Sequence, residues 1–317
     1  MRNTLIHTLC EMAANRDDIY LLTGDLGFGV VEEFAERYPD RFINAGIAEQ
    51  NMTAVAAGLG LEGKCVFTYS IGNFPTLRCL EQIRNDVAYH HCNVNIVAVG
   101  GGFSYGALGM SHHATEDIAI MRAIPNMVVF TPCDPEEAWA ATTLAAELAQ
   151  PCYIRLARGK DQSIEHITRE YRVGKANLLW DGKDVAIFAA GPVVREAVSA
   201  AQILEKTDGI RCAVRNCLTV KPIDENAVLA AATHVKHIFT VEEHNVIGGV
   251  GGAMAEVLAS HGCKSQLHRL GLQDIFTSEV GEQPYLRDQN GISADKLVET
   301  IKKILKEIPN KSPNMIK

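Results

Sequence analysis

Short apolar runs alternate with longer amphipathic segments along the whole chain. The runs have the length and the branched residues of buried strands, and they occupy residues 19–23, 41–44, 65–70, 94–99, 127–131, 153–157, 185–190 and 238–241. The segments between them carry apolar residues at helical spacing, as at Val194, Ala197, Val198, Ala201 and Leu204. Strands that alternate with helices in this way form parallel sheets covered on both faces. The pattern therefore predicts an α/β fold.

A polar, weakly periodic stretch divides the chain into two halves. The whole chain has 317 residues, which exceeds the length of one typical domain. We predict a first domain over residues 1–165, a linker over 166–183 and a second domain over 184–310. Residues 311–317 combine Pro, Asn, Ser and Lys, and we predict that they form a disordered tail.

Composition and charge argue against several classes of protein. Hydrophobic residues make up 47% of the chain, too many for a disordered protein. The net charge of −8 disfavours nucleic acid as a partner, because phosphate backbones bind basic surfaces. No apolar run approaches the roughly 20 residues that span a membrane, and no signal-peptide core is found. The nine cysteines include no Cys-x-x-Cys pair, so we predict reduced thiols and a cytoplasmic location.

Glu49 is the residue with the clearest sign of a function. It lies in the run Asn44-Ala45-Gly46-Ile47-Ala48-Glu49-Gln50-Asn51-Met52, between a predicted strand and a helix almost free of charge. A carboxylate is costly at such a buried junction unless a partner or a ligand contacts it. The alternative is a structural acid in the first helical turn, where it favours the positive end of the helix dipole. Spacing alone leaves both interpretations open.

The segment around Glu49 resembles the pyrimidine-binding domain of thiamine-diphosphate enzymes of the transketolase family. The resemblance covers nearly the whole chain and is greatest to the separate C-terminal subunit of split transketolases. It implies a pyrimidine-binding domain with a mainly parallel sheet, followed by a transketolase C-terminal-like α/β domain. It also implies that Glu49 is catalytic and hydrogen-bonds the aminopyrimidine ring of thiamine diphosphate.

Three residues near the 65–70 strand match the segment in which family members enclose that ring with aromatic side chains: Tyr69, Ile71 and Phe74. Ile71 departs from the pattern, because many transketolases have a stacking phenylalanine there, although isoleucine still contacts a ring by dispersion. We predict a helix over residues 75–89 next, since proline is tolerated in a first helical turn. The alternative is that all three are ordinary core residues.

A glycine-rich loop over residues 106–117 contains two adjacent histidines. His112 matches the family histidine that contacts the carbonyl and hydroxyl groups of the substrate, and imidazole exchanges protons near neutral pH. His113 replaces the usual glutamine and is a second candidate for substrate binding. Leu108 stands where transketolases that handle free hydroxy-sugars usually have an aspartate. A histidine that many of them carry earlier in this loop is replaced by glycine here, near Gly100. These departures argue against the standard pentose-phosphate reaction and leave open a less hydroxylated donor or a modified sugar acceptor.

Arg158 follows the 153–157 strand and matches a family arginine that binds the substrate phosphate. Guanidinium suits bidentate phosphate contacts, and a surface salt bridge is the alternative. Arg78 either serves the pocket or pairs with a nearby acid. The run Gly248-Gly249-Val250-Gly251-Gly252 lacks the Gly-x-Gly-x-x-Gly spacing, so we interpret it as a structural turn.

The motif that holds the diphosphate and its metal is missing from the chain. Family members use Gly-Asp-Gly followed by an asparagine, whereas this chain has Gly24-Asp25-Leu26. A divalent cation needs several oxygen ligands in a fixed array, and we predict no metal ligand here. We therefore expect an N-terminal transketolase subunit to supply that half of the site, including Mg²⁺ or Ca²⁺. The expected assembly has two copies of each chain and acts on sugar or sugar phosphate substrates.

The predicted activity is the transfer of a two-carbon ketol unit from a ketose to an aldose. One alternative is the β subunit of a 2-oxo-acid dehydrogenase, but residues 47–52 and 112–117 favour the transketolase interpretation. A deoxyxylulose-phosphate-type synthase, which joins pyruvate to an aldehyde, stays open because of Leu108. A subunit without a catalytic role is the third alternative, against which Glu49 and His112 argue.

Overall fold

Two mainly parallel sheets organise the chain. The computed structural model describes residues 1–159 and 163–307. The strands are β1 Ile19–Thr23, β2 Phe42–Asn44, β3 Cys65–Ile71, β4 Val94–Val99, β5 Val128–Phe130, β6 Cys152–Leu156, β7 Ala176–Trp180, β8 Val185–Ala190, β9 Cys212–Cys217, β10 Thr219–Lys221, β11 His237–Asn245 and β12 Gln266–Leu272.

Helices lie between most of the strands. The α-helices are α1 Arg2–Ala13, α2 Glu32–Arg37, α3 Glu49–Leu61, α4 Leu80–Gln82, α5 Asp117–Ala123, α6 Pro135–Leu148, α7 Val194–Asp208, α8 Glu225–His234, α9 Val250–Ser260, α10 Gln283–Gln289 and α11 Ala294–Glu307. Short 3-10 helices occupy Pro39–Arg41, Gly106–Leu108 and Met110–His112, and a π-helix occupies Ile83–Ala88. Within the described ranges, no helix has both the length and the hydropathy needed to cross a membrane.

The strand order of both sheets confirms the predicted fold class. The first sheet runs β10-β5-β6-β4-β3-β1-β2 and the second runs β12-β11-β8-β9-β7. All pairings are parallel except β10 with β5 and β7 with β9. Every residue of the central strands β4 and β8 is buried, as expected where helices cover both faces of a parallel sheet.

Two apolar layers cover the faces of the first sheet. One layer joins Leu5 and Leu9 of α1 to Ala141 of α6. The other contains Met52 and Ala56 of α3 and continues into the core of the second domain. Helices α1 and α3 therefore lie on opposite faces of this sheet.

The two halves of the chain interlock through their sheets. β10 belongs to the second half but pairs with β5 at the edge of the first sheet, with Thr219 opposite Phe130. The structure also differs from the predicted linker over 166–183, because β7 lies inside it and pairs with β9. Its polarity is misleading, since Asn177 is a buried, hydrogen-bonded strand residue. The predicted tail, residues 311–317, lies outside the described residues.

The segment after β3 is not the continuous helix predicted over residues 75–89. Turns occupy much of residues 72–79, and helical structure begins at Leu80 and continues as the π-helix. The side chain of Asn73 donates a hydrogen bond to the backbone carbonyl of His113 at 2.8 Å. This bond ties the turns to the histidine loop and helps to explain why the helix begins late.

A buried ion network joins the two domains beneath these loops. Arg155 of β6 donates from Nε to the Asp117 carboxylate at 2.7 Å and from Nη2 to the backbone carbonyl of Glu243 in β11. The Glu243 carboxylate accepts a hydrogen bond from Nε of Arg287 at 2.5 Å. All four side chains are buried. Because buried charges are costly without partners, this network fixes how the two domains sit against each other.

Candidate active site

The candidate residues gather where the parallel strands of the first sheet end. Glu49 begins α3 shortly after β2, Phe74 follows β3, His112 follows β4 and Arg158 follows β6. The carboxyl ends of parallel strands meet at one edge of a sheet, which is where α/β proteins bind ligands. The topology thus brings side chains from four separate loops to one edge.

Glu49 is almost completely buried in the first turn of α3. Its side chain is 1% exposed, and its Oε2 accepts a hydrogen bond from Nη1 of Arg78 at 2.6 Å. Its Oε1 has no hydrogen-bond partner in the part of the chain that the structure describes. The Arg78 side chain is 47% exposed, so the ion pair borders solvent. A structural acid in the first turn of a helix can stay in contact with solvent, whereas Glu49 is buried with one open acceptor atom. Contact with a ligand therefore explains its position better than a structural role does.

Ring and cation contacts continue from this ion pair across the edge. The guanidinium of Arg78 lies 4.8 Å from the ring centroid of Phe74, and that ring lies 5.3 Å from the His112 ring. His112 is 6.2 Å from the ring of Tyr105, which in turn has the Arg158 guanidinium 4.8 Å from its centroid. We call Glu49 and these five side chains the site wall. It runs without a break from the acid Glu49 to the cation of Arg158.

Tyr69 and Ile71 of β3 are not part of this wall, although Tyr69 packs in the same apolar cluster as Tyr105. Both point to the face of the sheet that carries α1, because alternate residues of a strand share a face. Burial raises the pKa of Tyr69 to about 12, although the nearby positive charge of Arg2 opposes the rise. The structure therefore brings Phe74 close to the Arg78 partner of Glu49, but it places Tyr69 and Ile71 on the face opposite α3.

The two histidines of the loop have different surroundings. His112 is partly exposed, and its Nδ1 lies 3.0 Å from the hydroxyl oxygen of Ser111. Partial burial, with the neighbouring His113, lowers the pKa of His112, so its imidazole is neutral at pH 7. His113 is buried against Phe103, and its Nε2 lies 3.3 Å from a backbone carbonyl of the loop. His112 is thus suited to proton exchange, whereas the buried contacts of His113 support the loop.

A cavity of about 370 Å³ opens beside the acidic end of the site wall. Phe74, Arg78 and His113 line it from the first domain, and Phe276 lines it from the loop after β12. The second domain therefore contributes to the surroundings of the site, which the sequence does not indicate.

A second cavity, of about 450 Å³, lies at the cationic end of the site wall. Arg158 lines it together with Arg2, Asn3 and Thr4 from the first turn of α1. Two guanidinium groups and a helix N-terminus favour a bound anion. Sequence reasoning does not identify Arg2, but the topology carries the start of α1 to this edge.

A separate buried cluster contains three possible metal ligands. Cys133, Glu137 and His166 each offer a ligand atom, and these atoms lie within 4.8 Å of one another. The Glu137 carboxylate already accepts hydrogen bonds from the backbone N–H of Cys133 at 3.0 Å and from the amides of Asn177 at 3.0 Å and Asn216 at 2.6 Å. A cation would have to compete with these donors, so we interpret the cluster as a tie between α6 and the second sheet.

The glycine turn before α9 holds an acid that the chain itself supplies. The Glu242 carboxylate accepts hydrogen bonds from the backbone N–H groups of Val250 at 2.8 Å and Gly251 at 3.1 Å. A side chain at Gly249 would overlap this carboxylate. The helix N-terminus is therefore occupied, and the structural interpretation of the turn is confirmed.

Two family models match consecutive parts of the chain. Residues 1–162 match the family described as the transketolase pyrimidine binding domain, and residues 174–297 match the transketolase C-terminal domain.

Individual relatives extend over almost the full length of the chain. It is 40% identical over 310 residues to a putative transketolase C-terminal section of Methanocaldococcus jannaschii, a match that covers 97% of this chain and 96% of that protein. It is also 40% identical over 299 residues to a 6-deoxy-6-sulfo-D-fructose transketolase subunit of a Clostridium species, which covers 94% and 92% of the two chains.

A solved structure agrees with these relatives. A split gene transketolase, described as an inactive beta4 tetramer, superimposes with a TM-score of 0.86 at 36% identity, and the match covers 96% of this chain and 97% of that one. The chain therefore belongs to the transketolase family and corresponds to the C-terminal subunit of a split transketolase, an enzyme of the ketol-transferring class.

Proposed function

We propose that this subunit holds the pyrimidine end of thiamine diphosphate during transfer of a two-carbon ketol unit from a ketose to an aldose. The observation that carries the proposal is the buried Glu49 carboxylate with its open Oε1 acceptor. When bound, thiamine diphosphate supplies the nucleophilic carbon that takes up and passes on the ketol unit. Glu49 fits a ring that offers an N–H donor, and Phe74 offers a face for stacking. Contacts of Tyr69 and Ile71 with the cofactor ring are also proposed, although both side chains lie on the sheet face opposite α3.

His112 is the proposed proton carrier for the hydroxyl groups of the substrate. Its neutral imidazole accepts a proton at pH 7, and general acid–base catalysis works best with such a group. The rings of Phe74 and Tyr105 lie 5.3 Å and 6.2 Å from its ring and restrict its orientation. With Nδ1 beside Ser111, Nε2 is the atom left for the substrate. His113 is proposed as a second substrate contact because it lines the adjacent cavity.

Arg158 and Arg2 are proposed to hold an anion at the far end of the substrate. Both line the second cavity, and a guanidinium binds phosphate or sulfonate oxygens through paired N–H donors. The Clostridium relative is named for a 6-sulfo sugar, which carries its negative charge far from the ketone. The exposed Leu108 on the histidine loop is consistent with a modified sugar of this kind.

Replacement of Arg158 by methionine tests this anion site. We expect Arg158→Met to raise the KM for glyceraldehyde 3-phosphate by about 10-fold or more, because a charged hydrogen-bond partner is lost. The KM for unphosphorylated glyceraldehyde should change less than about twofold, since that acceptor carries no charge. Arg37→Met removes an exposed arginine paired with Glu33 and serves as the control. An equal change for both acceptors would argue against the assignment.

An N-terminal transketolase subunit is proposed to supply the diphosphate half of the site, with Mg²⁺ or Ca²⁺, in an assembly with two copies of each chain. The Asp25 carboxylate accepts a hydrogen bond from the Asn44 amide at 3.0 Å and so serves the turn after β1. Large apolar side chains are exposed on the loops around the site, namely Phe28, Ile47, Leu108, Met110 and Phe276. Exposed apolar groups of this kind mark interaction surfaces.

The cofactor and the reaction can be tested with purified subunits. The isolated chain should bind thiamine diphosphate with Mg²⁺ at least about 100-fold more weakly than its mixture with the N-terminal subunit, as measured by titration calorimetry, because part of the interaction energy is missing. Tight binding by the isolated chain would contradict the half-site.

A donor screen of the mixture separates the candidate reactions. Ketol transfer from a ketose phosphate or a sulfo-ketose supports the proposal. Joining of pyruvate to an aldehyde with release of CO₂ would indicate the synthase, whereas decarboxylation followed by acyl transfer to a lipoyl domain would indicate the dehydrogenase. We also propose a cytoplasmic location, because all nine cysteines are unpaired and eight of them are buried.

A further inference from the structure

We propose that Tyr105 is a positioning residue that sets the preference of the enzyme for anionic substrates. Its ring holds the Arg158 guanidinium between His112 and the second cavity. This inference rests on the proposed function and adds a determinant of its substrate class. It follows from three features of the structure: the space that Tyr105 fills, the two side chains that its ring contacts, and the charge of its hydroxyl group.

The ring of Tyr105 occupies space that only a glycine at position 100 leaves open. Gly100 directly follows β4 and has a φ of +98°, a conformation that residues with a side chain rarely adopt. A Cβ atom at this position would overlap the Tyr105 ring. The ring therefore packs directly over the backbone at the edge where the ligand loops begin.

The surrounding core holds the ring in one position. Tyr105 is 8% exposed and packs in the same apolar cluster as Tyr69 and Val31. A buried aromatic side chain has few rotamers available, so its uncovered face is a rigid surface.

The two contacts of the ring connect the two ends of the proposed substrate site. One contact is with His112, whose ring centroid lies 6.2 Å away. The other is with Arg158, whose guanidinium carbon lies 4.8 Å from the ring centroid. A free arginine side chain samples many rotamers, and stacking on an aromatic face restricts them. The ring thus keeps a long, exposed cation at a fixed distance from the proposed proton carrier.

The hydroxyl group adds no negative charge to the anion cavity. Burial raises the pKa of Tyr105 above its ordinary value, although the charges of Arg2 and Arg158 oppose the rise. Tyr105 is therefore protonated at neutral pH. Its ring supports the cation without competing with an incoming phosphate or sulfonate.

The test uses the subunit reconstituted with its N-terminal partner and three acceptors that share an aldehyde: glyceraldehyde, its 3-phosphate and the matching 3-sulfonate. We expect Tyr105→Leu to raise the KM for both charged acceptors by about 5- to 10-fold, with less than a twofold change for glyceraldehyde, because only the position of the cation is lost. Tyr105→Phe keeps the ring and should stay within about twofold for all three. Tyr89→Leu changes an exposed tyrosine elsewhere and is the control.

If the KM rises for only one of the two anions, that anion identifies the substrate class and the positioning role stands. An equal loss of activity toward charged and uncharged acceptors by Tyr105→Leu, or no change with any acceptor, would overturn the role. If Tyr105→Leu unfolds at a lower temperature than the unmodified subunit, Tyr105→Met provides a second variant without the ring. Absence of ketol transfer by the unmodified complex would count against the proposed function instead.

Discussion

Replacement of Glu49 by glutamine should lower the rate of ketol transfer by the reconstituted enzyme by about 100-fold or more. The amide keeps the size of the side chain but loses the charge, and it presents an N–H₂ group where an acceptor is required. Groups that exchange or stabilise protons in a transition state typically contribute factors of about 10²–10⁴. Because the Glu49 side chain is 1% exposed, water cannot take over its role. The assay is product formation under saturating cofactor.

A matched change distinguishes this effect from general damage. Glu81 lies only a few residues beyond Arg78 but is exposed, so Glu81→Gln should keep activity close to that of the unmodified enzyme. Unfolding temperatures of both variants report on folding, since Arg78 is half exposed and tolerates the loss of its partner. Full activity of Glu49→Gln in a folded complex would favour a subunit without a catalytic role.

Replacement of Asp117 by asparagine should destabilise the fold by about 3–5 kcal/mol, the typical cost of breaking a buried ion pair. Asp117 accepts hydrogen bonds from Arg155 at 2.7 Å and from the Tyr153 hydroxyl at 2.5 Å, and its side chain is completely buried. Without this carboxylate, the buried guanidinium keeps only neutral carbonyl partners at Ala114 and Glu243. Urea unfolding at neutral pH measures the difference in the free energy of unfolding.

The pH dependence of this difference identifies its electrostatic origin. Burial alone would raise the pKa of Asp117, but the charge and hydrogen bonds of Arg155 and Tyr153 outweigh burial and hold it below its ordinary value. A lowered pKa in the folded state stabilises the protein above the pKa of the unfolded state, about 3.9. The gap between the unmodified protein and Asp117→Asn should therefore be constant above about pH 5 and shrink as the pH falls below about 4.

A surface ion pair provides the comparison for Asp117. Glu256 pairs with Arg122 but is 70% exposed, so Glu256→Gln should change the free energy of unfolding by no more than about 1 kcal/mol. If the two substitutions cost the same, the buried network does not carry the interface between the domains.

The sequence predicts the elements that are periodic and apolar, and it fails where tertiary contacts override local pattern. The runs at β4 and β8 are continuous and apolar, and both strands form as expected. β7 is missed because Asn177 makes the stretch look like a loop, although its amide is buried against Glu137. Helix α1 is also missed, yet the spacing of Leu5 and Leu9 is helical and is sufficient to predict it.

The candidate site divides in the same way. The segment around Glu49 singles out that carboxylate as a candidate through its resemblance to the transketolase family, since spacing alone leaves a structural role open. The proposed roles of Arg2 and Tyr105 depend on where α1 begins relative to β6 and on the space left by Gly100. Neither property is visible in local spacing, because each depends on which strands are neighbours in the sheet.

The exchange of β10 between the two halves limits how this subunit can be divided. A fragment that ends near residue 165 would keep the side chains of the site wall but lose the outermost strand of their sheet. The backbone donors and acceptors of β5 would then be open to other molecules, and such edges promote aggregation. The shortest fragment that retains this edge extends through Lys221, so minimal versions of the enzyme must include the first part of the second domain.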